Sequence, residues 1–107
     1  MANLFKNAKV DLTTTNATTL YTCPSATTAI VKSILVSEDS NNADTITLTL
    51  TNASSAVYSI YKDKAISAKQ TLELLSAPLV VEESEILKVT AATADRLHVV
   101  ASILEVS

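Results

Sequence analysis

The sequence predicts an all-β fold, a single jelly-roll-like β-sandwich of about eight mostly antiparallel strands, and three observations support this. Asp44 to Asn52 reads Asp-Thr-Ile-Thr-Leu-Thr-Leu-Thr-Asn, a strict two-residue alternation of threonine with large aliphatics, bounded by turn formers. Runs of similar character recur along the chain with Asn, Asp, Ser or Pro between them. No window sustains apolar residues at helical spacing over three turns, and the Ala91 to Ala94 stretch is too short and too Thr-rich for a helix.

Residues 1–7 lack a pattern and read as an N-terminal arm, with the sandwich domain over 8–107. The first strand is expected over Ala8 to Thr14, with Val10 and Leu12 on one face, and the second over Thr18 to Thr22, ended by Pro24. From Thr28 to Glu38 strict alternation puts Ile30, Ile34 and Val36 on one face with Lys32, and Val31 and Leu35 on the other. The fourth strand, Thr45 to Thr51, points Ile46, Leu48 and Leu50 inward, and a hairpin across Asn52 to Ser55 leads to a strand over Ala56 to Lys62. Ile66 to Gln70 reads as a connection and Thr71 to Ser76 as a strand. Pro78, which cannot donate to a ladder, marks a bend before Leu79 to Val81. The acidic turn Glu82 to Glu85 precedes a strand over Ile86 to Ala91, and Arg96 to Val106 is the last strand.

A chain of 107 residues has room for one domain with one modest core. Hydrophobic residues make up 48% and aromatics 4%, so Val, Ile, Leu and Ala must fill that core. The net charge of -3, the scattered cations and the few rings argue against nucleic-acid binding, which draws on basic grooves and stacking platforms. No segment approaches the ~20 apolar residues that cross a bilayer, and the start lacks a signal peptide's apolar stretch, so a soluble product made in a reducing cytoplasm, without a membrane partner, is expected. The lone Cys23 forms no internal disulfide and, with no basic neighbour in sequence, reads as a small buried hydrophobe. The chain contains no glycine, so Asn41-Asn42, Asn52, Asp63 and Asp95 are the expected holders of the tight turns.

The sequence offers little for catalysis. His98, the sole histidine, has no nucleophile or ligand set at recognisable spacing and reads as structural. Asp39 to Asp44 places oxygen ligands at the spacing of a calcium loop but lacks its glycine and closing glutamate, so Asx turns explain it better. Glu82, Glu83 and Glu85 read as a solvated hairpin tip. Asn16-Ala17-Thr18 and Asn52-Ala53-Ser54 match the glycosylation sequon, as chance allows in a chain this rich in Ser and Thr. No catalytic residue, metal ligand or cofactor is assigned, and an enzyme is not expected.

The last strand is the exception to this blandness. Leu97, Val99, Ala101 and Ile103 share one face while Val100, Leu104 and Val106 line most of the other, so both faces call for burial although a small sandwich hides one. Val100, Leu104 and Val106 are therefore the candidate interface.

Thr71-Leu72-Glu73-Leu74, Pro78-Leu79-Val80-Val81, Glu85 to Ala91 and Leu97 to Glu105, together with Tyr21-Thr22-Cys23-Pro24-Ser25 and Ala29 to Ile34, resemble small structural proteins of tailed bacteriophages, particularly cyanobacterial and marine phages. The resemblance runs from about Val10 to the end. It departs where relatives often place glycine, at Glu82-Glu83-Ser84. It implies a non-enzymatic virion component on the capsid surface, first of all a decoration or cement protein that self-associates, as a trimer, and binds the major capsid protein. A tail, neck or fibre-attachment protein is the alternative, as is a host-glycan-binding fibre module, for which Phe5, Tyr21, Tyr58 and Tyr61 are the available rings.

Overall fold

A computed structural model describes residues 3–107, which form nine strands: β1 (Asn3–Asp11), β2 (Thr18–Thr22), β3 (Thr28–Glu38), β4 (Asp44–Thr51), β5 (Val57–Ile66), β6 (Thr71–Glu73), β7 (Leu79–Val81), β8 (Ile86–Ala91) and β9 (Leu97–Val106). Every pairing is antiparallel. One sheet runs β1-β9-β3-β6, with β7 on a second stretch of β3, and the other runs β2-β8-β4-β5. This is the double Greek key of a jelly roll, with eight strand positions of which one is filled by the two short strands β6 and β7.

Alternation builds the core directly. Ile46 and Leu48 of β4, Leu87 and Val89 of β8, and Leu97, Val99 and Ala101 of β9 are all buried between the sheets. Leu50 is half-buried at the margin, and Cys23 is packed in the same cluster. The Cys23 thiol lies 3.3 Å from the Thr27 carbonyl, and burial is the main cause that pushes its pKa up.

Strict alternation fails within β3. A bulge between Val31 and Ser33 inserts one residue, so Ala29 and Val31 point inward before it and Ile34 and Val36 after it. The expectation that Ile30 shares a face with Ile34 is thereby corrected, because one extra residue flips every side chain on one side of it. Opposite the bulge, the partner strand is broken as well. Pro78 has no N–H to give to a ladder, and β7 starts immediately after it. The Glu73 side chain bridges this gap: its carboxylate accepts from Ile34 N at 2.8 Å, from Leu75 N at 3.1 Å and from Ser33 Oγ. Burial raises its pKa, but these bonds outweigh that effect and lower it.

Two strands run well beyond their expected bounds, and two stop short, the first at Asp11 rather than Thr14 and β6 at Glu73 rather than Ser76. The first strand begins at Asn3, so residues 3–7, read from sequence as an arm, pair with Ser102 to Val106 of β9. All five are exposed, which leaves no burial alternation to read, and backbone pairing alone extends the strand. Met1 and Ala2 lie outside the described residues. β5 also runs on to Ile66, whose buried side chain closes one end of the core.

Among the described residues, seven take left-handed backbone angles: Ala26, Asn41, Ser55, Asp63, Lys69, Ser84 and Asp95. Asn41, Asp63 and Asp95 are in the expected set. Asn52 instead works through its side chain, whose Oδ1 accepts from Ser54 N and Ala56 N, both at 2.9 Å, and Ser55 takes the strained angle. In the acidic turn Ser84, at φ 67°, adopts the conformation a glycine would have supplied.

Candidate functional site

The register sets out the outer face of the β1-β9-β3 sheet row by row. Phe5 pairs with Leu104, Leu104 with Ile30, and Ile30 with Val80, so four apolar side chains cross all four strands in one line. Four residues along β1 and β9, Lys9, Val100, Leu35 and Glu73 form a parallel line. Asn7, Ser102 and Ser33 lie between them, and Asn3, Val106 and Thr28 lie beyond the first. Val100, Leu104 and Val106 therefore sit on one face. β9 is central within its sheet, yet Val100 keeps 40% of its surface exposed, Leu35 39%, Val80 52% and Phe5 72%. The β3 bulge is what brings Ile30 into this band, a contribution invisible to alternation.

At one edge of the face, His98 joins two elements. Its Nε2 lies 3.2 Å from Asp11 Oδ1 at the end of β1, and its Nδ1 lies 3.4 Å from Asp39 Oδ2 in the loop after β3. All three side chains are about half exposed, and the imidazole between two carboxylates ties strand ends together.

Two buried carboxylates escape the sequence reading. Glu105 follows the inward positions of β9 and is buried at the sandwich end, where it accepts from the Tyr21 hydroxyl of the opposite sheet. Lys6 Nζ stands 3.4 Å from the same oxygen and 6.0 Å from the centre of the Tyr21 ring. Burial first, and the bond to Glu105 second, push the Tyr21 pKa up, which keeps the phenol a donor. Glu38, inward because of the bulge, accepts from Ser40 N at 2.8 Å, from Ser40 Oγ and from Lys69 N at 2.9 Å. Burial raises its pKa, and the hydrogen bonds prevail to bring it down to about 2. The signal for both was present, since each glutamate sits at an inward position of a strand.

The carboxylates of the Asp39 to Asp44 loop diverge. Asp39 meets His98, while the buried Asp44 accepts from its neighbour Thr45 N and from Thr93 N. Among the described residues, no group of three or more His, Cys, Asp or Glu is disposed to hold a metal. An open cleft of about 790 Å³ lies at the sandwich end, lined in part by Asn52, Ser54, Glu82, Glu83, Glu85 and Val106. Its acidic turn is closed by Glu85, whose Oε1 accepts from Glu82 N at 2.8 Å. The rings do not form one platform either: Tyr21 is buried, Phe5 belongs to one sheet, and Tyr58 and Tyr61 belong to the other.

The molecule is thus a jelly roll with an apolar outer sheet face, and among the described residues no buried side-chain nitrogen or oxygen lacks a hydrogen-bond partner. No protein-family model matches the chain, and no curated protein matches it. Among solved structures it is similar to the VP2 protein of infectious bursal disease virus, as the D431N mutant in derived T=1 particles, with a TM-score of 0.52 and 7% identity over 96% of this chain. The chain spans 31% of that protein's length. Weaker likenesses are to the infectious bursal disease virus Gt strain, TM-score 0.47 and 9% identity over 98% of this chain and 30% of that one, and to the cyanophage Pam1 capsid asymmetric unit, TM-score 0.44 and 22% identity over 96% and 83%. At 7% identity, what the chain shares with the VP2 protein is the fold.

Proposed function

We propose that this chain is a non-enzymatic structural component of a virus particle, a capsid decoration or cement protein that self-associates and binds the major capsid protein lattice. The observation that carries the proposal is the outward apolar band Phe5–Leu104–Ile30–Val80, half-buried at its centre and exposed at Phe5 and Val80, on the outer face of the jelly roll. Such a band on an isolated small domain calls for a partner, and the phage resemblance supplies its class. The protein would be made in the host cytoplasm and carried on the capsid surface, with a trimer as the assembly the sequence reading favours.

Immunogold microscopy of phage particles, with antibody against the recombinant domain, tests the location. Label over the head is expected; label confined to the neck or tail would move the assignment to an attachment protein there, and unlabelled particles would overturn the virion role. Val100→Asp tests the surface. With Val100 40% exposed, the variant should fold with an unchanged far-UV CD spectrum and fail to self-associate, because it puts an unpaired charge into the contact. Undiminished self-association of the variant would exclude this face.

A further inference from the structure

We infer that the outer face of the β1-β9-β3 sheet binds a second copy of this chain face to face, about a two-fold axis parallel to β9; the inference rests on the self-association part of the reading above and replaces its trimer with a dimer. The strand order is the starting point. A two-fold axis along the strands, over the boundary between β9 and β3, lays β1 of one copy on β6 and β7 of the other, and β9 of one on β3 of the other, with the rows kept level.

Each row then meets its own complement. In the apolar row Phe5 faces Val80 of the second copy and Leu104 faces Ile30; in the next, Val100 faces Leu35 and Lys9 faces Glu73. The charges match at both corners at once, because symmetry makes the Lys9–Glu73 contact twice. Lys9 is exposed, and its ammonium contacts only Asn7 Oδ1, at 3.1 Å, a neutral atom. The Glu73 carboxylate is held ionised by three neutral donors and meets no cation among the described ion pairs. A lysine and a carboxylate, each without an opposite charge in its own copy, thus stand at mirrored corners of one apolar field. Between the rows Asn7, Ser102 and Ser33 are small or neutral, and Lys32, exposed at the bulge, would stand over Ser102 of the second copy.

Area and symmetry agree with this geometry. Nine residues of strand by four strands gives a face of about 30 by 19 Å from standard strand spacings, or roughly 1,100 Å² buried over two copies, just above what a specific interface requires. Sheets stacked this way cross at about 30°, which displaces the corner charges by a few Å, within reach of a lysine side chain. A surface complementary to itself makes an isologous contact and closes as a dimer, whereas a ring of three needs two different surfaces.

Light scattering on a sizing column, together with Lys9→Glu, tests the inference. The wild type at micromolar concentration should have twice the 11.3 kDa chain mass, and Lys9→Glu should weaken the dimer by about 100-fold or more, since two attractive contacts become two repulsive ones. Lys9 has no buried contact, so the variant should keep the wild-type CD spectrum. Glu73→Lys is a poor test, because it would strip Ile34 N and Leu75 N of their acceptor. Instead, Phe5→Cys with Val80→Cys, treated with a short bismaleimide, should cross-link as a dimer, while Phe5→Cys alone should not, because Phe5 does not face itself. A wild-type monomer, a wild-type trimer, an undiminished Lys9→Glu dimer or cross-linking by Phe5→Cys alone would each overturn the two-fold pairing. None of these outcomes bears on whether the domain is found on virions, so the two readings fail separately.

Discussion

Replacing Tyr21 by phenylalanine removes one oxygen atom and with it the only described hydrogen bond that joins the two sheets through a buried charge. The Tyr21 hydroxyl donates to Glu105 Oε2, Tyr21 is 6% exposed and Glu105 8%. A hydrogen bond to a charged group contributes about 1.5–3 kcal/mol, and losing the donor leaves the carboxylate desolvated. Lys6 remains at 3.4 Å, but its side chain is 40% exposed and the pair is screened, so it offsets little of the loss. The expected cost is about 2 kcal/mol. For a domain of this size that corresponds to a drop of roughly 8 °C in melting temperature. Urea denaturation of Tyr21→Phe, Glu105→Gln and the double variant measures both the cost and the coupling, which should exceed about 1 kcal/mol for groups in direct contact. A Tyr21→Phe protein within about 0.5 kcal/mol of wild type, or a cycle that is simply additive, would refute the view that this buried pair locks the sheets.

Glu38 makes stability depend on acid. Its pKa is depressed in the folded state from an ordinary value of 4.5 to about 2, so its contribution is fully present above about pH 4.5 and is lost as the pH falls through about 2. Urea midpoints taken between pH 6 and pH 2 should therefore fall for the wild type more than for Glu38→Gln, and equal slopes would discount the role of Ser40 and Lys69. In the core, Leu48→Ala opens a cavity at a fully buried position between the sheets and should cost about 2–5 kcal/mol by chemical denaturation.

Most strands were legible because burial and period coincide in them. β2, β3 and β8 fall on the expected residues, and β4 and β9 differ by one at the start. What escaped was information that belongs to pairing. The bulge at Lys32 is fixed by the register of β3 against β9, and nothing in Ile30 to Ile34 announces it, since apolar residues occupy both parities there. Residues 3–7 are exposed on both faces, so only the length of the neighbouring β9 reveals them as strand. The outer face was half legible. Val100, Leu104 and Val106 could be read from one strand, whereas Phe5, Ile30, Leu35 and Val80 join them only through the sheet order. Glu38 and Glu105 were readable in principle, as acidic residues at inward positions, but their partners Lys69 and Tyr21 lie far away in sequence.

The seven left-handed residues have a counterpart in the unfolded chain. Each L-residue in that conformation strains the native state by about 1–2 kcal/mol, and a glycine would relieve it. Yet glycine also widens the range of conformations open to the denatured chain, at a cost to stability of about 0.4–1 kcal/mol wherever another residue would serve. A chain with none at all is restricted before it folds, in every turn and not only in the strained ones. Part of this sandwich's persistence therefore resides outside the native structure, in the poverty of the alternatives its denatured chain can explore.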